Sequence, residues 1–536
     1  MADSKREIER KYELPERPDT DETPGLPDLT GVGNVAAVRA RGVQELDAVY
    51  YDTPALRLHA DTLTLRRRTG GEDAGWHLKF PVATGIRDEI RAPLSDTLPP
   101  ELAGLVRSRV RDAELIPVVR LRTSREVSLL LDARGAPLAE VAVDTVRARR
   151  LPGTGRKRAD TAWTEVEVEL ADGADPAVLD AVEKKLRKAG LRPAASASKL
   201  ARALGAGGRP TGDRPAGGRK TDGTSASGRA GGAPPSAPVT AGDHVLAYLR
   251  AQVATIVAQD PAVRRDLPDS VHQLRVATRR LRSTFRTHRK VLDRTVTDPV
   301  GEELKWLAAE LGVDRDHEVL SERLAARVGS VPGTLLLGPV RARLRIWSAG
   351  GRTGSRARTV AVLDSERYLT LLATLDALLA APPLRPAAAK APEKVLPARI
   401  EGAYHLLADR IDGALAMPPG PGRDLALHEA RKAAKRVRYA AEAAVPALGK
   451  PAKRFARRIK AVQTVLGDHQ DSVVAREVLR DLAVRAHAAG ESAFTWGLLY
   501  GQEETQAERR EHELPRVWEE AADPALRARL GVRSHG

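Results

Sequence analysis

The chain has 536 residues, 42% of them hydrophobic and 29% charged, which suits a globular protein long enough for more than one domain with its own core. Its net charge of +16 and pI near 10.1 favour polyanionic partners such as nucleic acid, an anionic membrane or polyphosphate. The absence of cysteine excludes disulfides, thiolate metal sites and cysteine nucleophiles. The start is polar and no run of about 18 apolar residues occurs, so the expectation is a cytoplasmic protein with neither export signal nor membrane span. Aromatics make up only 3%, too few to interleave the basic clusters with base-stacking platforms, which disfavours nucleic acid and points toward phosphates.

The first part of the chain is rich in strand signals. "REIERKYEL" opens it, and "LTLRRR", "WHLKF", "RDEIRAPL", "PVVRLR", "VSLLLD", "AEVAVDTV" and "TEVEVEL" follow, with Gly, Asp and Pro between them. One helix is predicted over 176–190, ending at a glycine. Side chains two apart on a strand share a face. One face of the first strand therefore carries Glu7, Glu9 and Lys11. Later strands offer Arg66 and Arg68, Lys79, Arg87, Glu89 and Arg91, Arg120 and Arg122, Glu140 and Asp144, and finally Glu165, Glu167 and Glu169.

A half-buried sheet shows a polar face to water, which accounts for any one of these strands. It accounts less well for strong charges of both signs on so many of them. If the sheet closes on itself, the charged faces line its lumen and the apolar faces pack against helices. Carboxylates in such a lumen suit hard divalent cations, and Lys and Arg suit phosphate oxygens. A tunnel for a metal and a polyphosphate follows.

"EIERK" resembles the Glu-x-Glu-x-Lys signature of CYTH domains, the triphosphate tunnel metalloenzymes. The resemblance runs on through "YYDTPALRLHADTLTLRRRTG", "WHLKFP", "AEVAVDTV", "WTEVEVEL" and "SASKLARAL", over residues 4–204. It implies an α+β domain built on an eight-stranded antiparallel barrel that hydrolyses or rearranges triphosphates with Mg2+ or Mn2+. Carried over by position, it implies metal-binding carboxylates at Glu7, Glu9, Asp144, Glu165 and Glu167. It implies triphosphate-binding cations at Lys11, Arg66, Arg68, Lys79, Arg120, Arg122 and Lys199, with Glu7, Glu9 and Lys11 as the catalytic centre. Glu169, Arg87, Glu89 and Glu140 would surround them.

Residues 205–241 hold almost no large apolar side chain and read as a flexible Gly/Pro/Ser-rich linker. It separates an expected tunnel domain at 1–204 from an expected all-α domain at 242–530. The helical part repeats itself. "VHQLRVATRRLRS" (271–283) is similar to "LHEARKAAKRVRY" (427–439), and "LKWLAAELGVDRD" (304–316) to "IKAVQTVLGDHQD" (459–471), at offsets of 156 and 155. Two related bundles facing each other are the simplest expectation, at about 242–348 and 395–500. His272, Arg275, Arg279, Arg282 and Arg286 fall within an arc of roughly 80° at 100° per residue, opposite Leu274 and Leu281. His428, Arg431, Lys435 and Arg438 repeat the stripe. Solvated helix faces mix signs to gain i,i+4 pairs, and these do not, so a polyanion would relieve a real repulsion.

This duplicated pattern resembles the CHAD domain, a duplicated helical bundle associated with polyphosphate. The resemblance implies one basic channel lined by both stripes together with Lys305 and Lys460. Asp316 and Asp471 would be caps or ion-pair partners of arginine. The whole reads as an inorganic triphosphatase joined to a polyphosphate-binding module, with association to polyphosphate granules. The alternatives are a non-catalytic polyphosphate-binding protein, or thiamine triphosphatase or adenylate cyclase activity in the same tunnel.

Overall fold

The computed structural model describes residues 3–14, 26–152, 160–205, 238–352 and 355–531. Nearly all of the expected linker at 205–241 lies outside the described residues. The chain divides into two compact units, Met1–Ala226 and Ser227–Gly536.

The first unit is an antiparallel sheet of β1 (Asp3–Glu13), β2 (Ala37–Asp52), β3 (Thr64–Thr69), β4 (Gly75–Ala83), β5 (Ile86–Pro93), β6 (Ile116–Leu131), β7 (Pro137–Arg150), β8 (Thr161–Leu170) and β9 (Arg192–Pro193). The order β5-β4-β3-β2-β6-β7-β8-β1 is closed by a pairing of β1 with β5, while two-residue β9 hangs on β1. One strand closes the ring because β1 serves two neighbours. Its first half pairs with β5, setting Glu7 opposite Arg87, and its second half pairs with β8, setting Lys11 opposite Glu167. Eight strands of the sheet thus form a closed barrel with no free edge.

Helices α1 (Arg57–Ala60), α2 (Pro100–Val110), α3 (Ala177–Lys188) and α4 (Lys199–Ala203) complete the unit. The outer faces bury their apolar residues under two of them. Val141, Val166 and Val168 pack on Leu179, Val182 and Leu186 of α3, and Leu65, Leu78 and Ile90 pack on Leu102 and Val106 of α2. Helix α4 does something else. Its Leu200 and Ala203 pack on Ala48, Leu121, Val146 and Ala148, which lie on the lumen side of their strands, so α4 fills one end of the barrel.

The second unit is all helical: α5 (Ala241–Arg264), α6 (Ser270–Thr287), α7 (Arg294–Glu310), α8 (Gly312–Ser330), α9 (Val340–Arg352), α10 (Ser355–Asp364), α11 (Glu366–Ala380), α12 (Pro392–Leu415), α13 (Pro421–Leu448), α14 (Lys450–Ala488), α15 (Phe494–Ala522) and α16 (Pro524–Ala528). The repeated segments occupy α6 and α13, and the junction of α7 with α8 and the middle of α14. Leu274, Ala277 and Leu281 of α6 share one core with Ala430, Ala434 and Val437 of α13. The repeated helices α6 and α13 therefore face each other within one core, while α8, α9, α14 and α15 enclose a second around Leu324, Leu479 and Trp496. No helix among the described residues is long and apolar enough to cross a membrane.

Candidate active site and a second basic cleft

Strand alternation delivers charges of both signs into the barrel, around a cavity of about 250 Å³. β1 contributes Lys5, Glu7, Glu9 and Lys11; β3 Arg66 and Arg68; β4 Lys79; β5 Arg87, Glu89 and Arg91; and β6 Arg125. Opposite charges interleave. Lys79 Nζ lies 2.5 Å from Glu7 Oε2 and 3.4 Å from Glu89 Oε1, and Lys11 reaches Glu167 and Glu9. Lys199, at the start of α4, donates to Glu167 at 2.6 Å and lies 2.8 Å from both Asp144 and Glu165. Arg125 bridges Asp144 and Glu167 at 2.6 Å each.

Burial penalises every charge here, and partners decide the outcome. At Lys199 burial is outweighed by Asp144, Glu167 and Glu165, so its ammonium is held above the ordinary lysine value. Arg125 and Lys79 are raised for the same reason. Glu167 and Asp144 resist burial through their cations and are held low. At Glu7 burial wins: it pushes the carboxyl up to about 7 against the pull of Lys79, and Glu89 adds to the rise. Asp144, Glu165 and Glu167 bring one carboxylate oxygen each to within 4.8 Å of the others. This all-oxygen donor set, with Glu7 and Glu9 on the neighbouring strand β1, fits a hard divalent cation.

In the helical unit a wider cavity of about 670 Å³ opens between the repeats. His272, Arg275, Arg279 and Arg280 of α6 face His428, Arg431, Lys435 and Arg438 of α13 across it. Some cations are engaged: Arg275 with Asp316 at 3.0 Å, and Arg280 and Arg438 with Glu442 at 3.0 and 2.7 Å. Arg279, Arg431 and Lys435 have no carboxylate in ion-pair contact among the described residues. Burial, with Arg431 and Arg279 adding, pushes the Lys435 amine down to about 7, and burial lowers Arg279 as well. The duplicated "LG" steps have a packing reason. A Cβ on Gly312 would meet Arg275 Nη2 at 3.3 Å, and one on Gly467 would meet Arg431 Nε at 3.4 Å. Each glycine lets an arginine of the stripe lie against helix backbone.

The CYTH domain model matches residues 5–204 and the CHAD domain model residues 247–480. An uncharacterized protein of Mycobacterium tuberculosis is 39% identical over 525 residues, covering 95% of this chain and 94% of its own length. The chain belongs to the CYTH–CHAD family. Among solved structures, PptA from Streptomyces chartreusis is 23% identical, covering 52% of this chain and 99% of its own, with a TM-score of 0.44. The Hippeastrum protein HpAC1, an adenylyl cyclase candidate described as having a dominant triphosphatase activity, is 16% identical, covering 37% of this chain and 96% of its own, with a TM-score of 0.23.

The CYTH barrel gathers Glu7, Glu9, Lys11, Arg66, Arg68, Lys79 and Glu167 around one cavity, with Lys199 joining Asp144 and Glu165 to them. It does not bring Arg120 and Arg122 there. Both lie on the outer face of β6, paired with Asp47, and the Arg122 side chain is 69% exposed. Near α4 the lumen side of β6 is apolar, because Leu121 packs on α4 there. Charge alternation along "PVVRLR" therefore marks the outside of the barrel. Arg125, of opposite parity, is the lumen cation of β6 that sequence reasoning missed, and its parity with Leu121 was the available signal. Lys5, Tyr50 and His77 were missed as well. Tyr50 lines the cavity and accepts from Arg66 at 3.3 Å, while buried His77 holds Glu89 at 2.9 Å.

In the CHAD domain, His272, Arg275, Arg279, His428, Arg431, Lys435 and Arg438 meet at one cavity. Arg282, Lys305 and Lys460 do not line it. Arg282 neighbours Arg286 and Arg436, and Lys305 pairs with Glu302 at 3.2 Å on the surface. Lys460 is exposed on α14. The stripe is longer than the cavity, so helical periodicity carried it past the end of the cleft. Arg280 and Arg323 were missed because each belongs to the lining only through the packing of its helix.

Proposed function

We propose that this CYTH–CHAD protein hydrolyses inorganic tripolyphosphate in its tunnel with Mg2+ or Mn2+, and binds polyphosphate along the CHAD cleft. What supports the first part is the closed lumen in which lysines and arginines interleave with carboxylates. A linear triphosphate carries negative oxygens along its whole length. Lys11, Arg66, Lys79, Arg125 and Lys199 would hold those oxygens in line and counter the charge that develops as the terminal P–O bond breaks. Glu7, Glu9, Asp144, Glu165 and Glu167 would hold the metal. When bound, a divalent cation neutralises phosphate oxygens and acidifies a coordinated water. No side-chain nucleophile is needed: His77 is engaged by Glu89 and by the Asp73 carbonyl, both at 2.9 Å.

The CHAD reading is supported by Arg279, Arg431 and Lys435, three cations facing one cavity without ion-pair partners among the described residues. A polyanion would supply the missing charge, and association with polyphosphate granules would follow. The test is phosphate release from tripolyphosphate, thiamine triphosphate, ATP and long-chain polyphosphate, each with Mg2+, Mn2+ or EDTA. Metal-dependent release from tripolyphosphate above the rest is the expected result. Preference for thiamine triphosphate or ATP would reassign the substrate, and no metal-dependent release from any of them would leave a polyphosphate-binding protein.

A further inference from the structure

We infer that Asp73 sets the length of phosphate chain that the CYTH tunnel accepts, by occupying the cations at the end of the lumen opposite α4. The inference rests on the triphosphatase reading and concerns a residue that the metal and phosphate assignments leave unused.

The two ends of the lumen are closed differently. At one end α4 is fixed by apolar packing of Leu200 and Ala203, and it presents Lys199 inward. At the other end β3 leaves the barrel just after Arg68, and the chain turns through Gly70 and Gly71 into β4. Both glycines have positive φ, +79° and +72°, and a Cβ on Gly70 would lie 2.0 Å from the Glu45 carbonyl oxygen. The loop is therefore pressed against β2 as only glycine allows. It turns Glu72 and Asp73 to the cavity.

Asp73 is held on three sides. His77 Nε2 lies 2.9 Å from its backbone carbonyl. Its carboxylate pairs with Arg68 and lies 3.9 Å from Arg91 Nη2. Glu72 beside it pairs with Arg41 at 3.2 Å. Arg68 is buried in the lumen with Arg66 and Arg125 as near cations, and those neighbours together with burial depress its charge, so an adjacent carboxylate is strongly favoured. The consequence is geometric. A chain held by Lys199, Lys11, Lys79 and Arg66 would need Arg68 for a further phosphate, and Asp73 already occupies it and stands beside Arg91, whose Nε is engaged by Glu89. A phosphate placed there would also meet a like charge.

The test compares kcat/KM for inorganic tripolyphosphate and tetrapolyphosphate in the full-length protein with its metal, for wild type, Asp73→Asn and Asp73→Ala. Both substrates meet the same CHAD domain in every variant, so a change in their ratio reports the tunnel. Thermal unfolding establishes that the variants are folded. The expected result is a tetrapolyphosphate-to-tripolyphosphate ratio that rises roughly tenfold in both variants, as one charge-assisted contact to an end phosphate becomes available. An unchanged ratio, including equal losses on both substrates, overturns the inference and leaves the triphosphatase reading standing. If the wild type releases phosphate from neither chain with metal, that reading falls and the inference falls with it.

Discussion

The two charged cavities of this protein treat most of their cations in opposite ways. In the CYTH tunnel, Lys79, Lys199 and Arg125 are each in contact with carboxylates, and those partners raise their pKa values in spite of burial. In the CHAD cleft, Arg279 and Lys435 face mainly other cations, and burial lowers theirs. Mixed signs in a narrow lumen fix each side chain before any ligand arrives, the preorganisation that catalysis needs. A wider cleft in which cations outnumber Asp316 and Asp471 stores repulsion that a polyanion would release, which would suit binding without chemistry.

The contrast breaks most sharply at the carboxylates. Glu7→Gln or Glu9→Gln keeps the shape of the lumen and removes a donor, so metal-dependent phosphate release is expected to fall about a thousandfold. Polyphosphate binding by the same variants, measured by titration, should stay at the wild-type value. Equal losses of both would show that the two cavities are not separate functions.

Arg125 and Arg120 offer a finer cut on one strand. Arg125→Ser strips Asp144 and Glu167 of a shared partner inside the lumen, and turnover should drop about a hundredfold. Arg120→Ser removes an outer-face pair with Asp47, and turnover should change less than about twofold. Steady-state kinetics on the pair would reverse the assignment of faces if Arg120→Ser proved the more damaging.

In the CHAD cleft, Arg279→Ser and Arg431→Ser should each weaken long-chain polyphosphate binding about tenfold and lower the log–log salt slope by about one. Their hydrolysis of tripolyphosphate should be unaffected. A salt slope that does not move would mean that these arginines do not meet phosphate.

The smallest expected effect is a proton. Lys435 titrates near 7 in the folded chain, against an ordinary 10.5. Between those values the unfolded chain binds the extra proton, so stability should rise with pH across that window. Polyphosphate would restore the charge. Its affinity should therefore fall as pH rises above about 7, by less than tenfold per unit, with proton uptake visible as a buffer-dependent heat of binding. Lys435→Met should abolish the buffer dependence. Uptake unchanged in that variant would place the proton elsewhere.

How much of this was legible beforehand differs from strand to strand. Glu7, Glu9 and Lys11 could be placed on one face because side chains two apart on a strand such as β1 share a face. The same rule misled at Arg120 and Arg122, since it says which residues share a face but not which face points inward. Where α4 plugs the barrel, the inward face is apolar. Helix α3 was visible from its apolar spacing and closing glycine, whereas α2, with a weaker pattern, was not. In the helical half, the repeat and the two stripes were plain in the sequence. That the stripes meet at one cavity, and that Arg282, Lys305 and Lys460 lie beyond it, depended on helix packing.

The sequence by itself determined the elements, the charge carried by each face, and the duplication, because these follow from local periodicity of two or 3.6 residues. Only the tertiary structure decided which faces close on one another. Ring closure through β1 puts Glu7 beside Lys79, 72 residues away, and the loop after β3 turns Asp73 onto Arg68. Contacts of that kind depend on register, shear and the fit of a plugging helix. Those are properties of the whole barrel, and no single stretch of sequence encodes them.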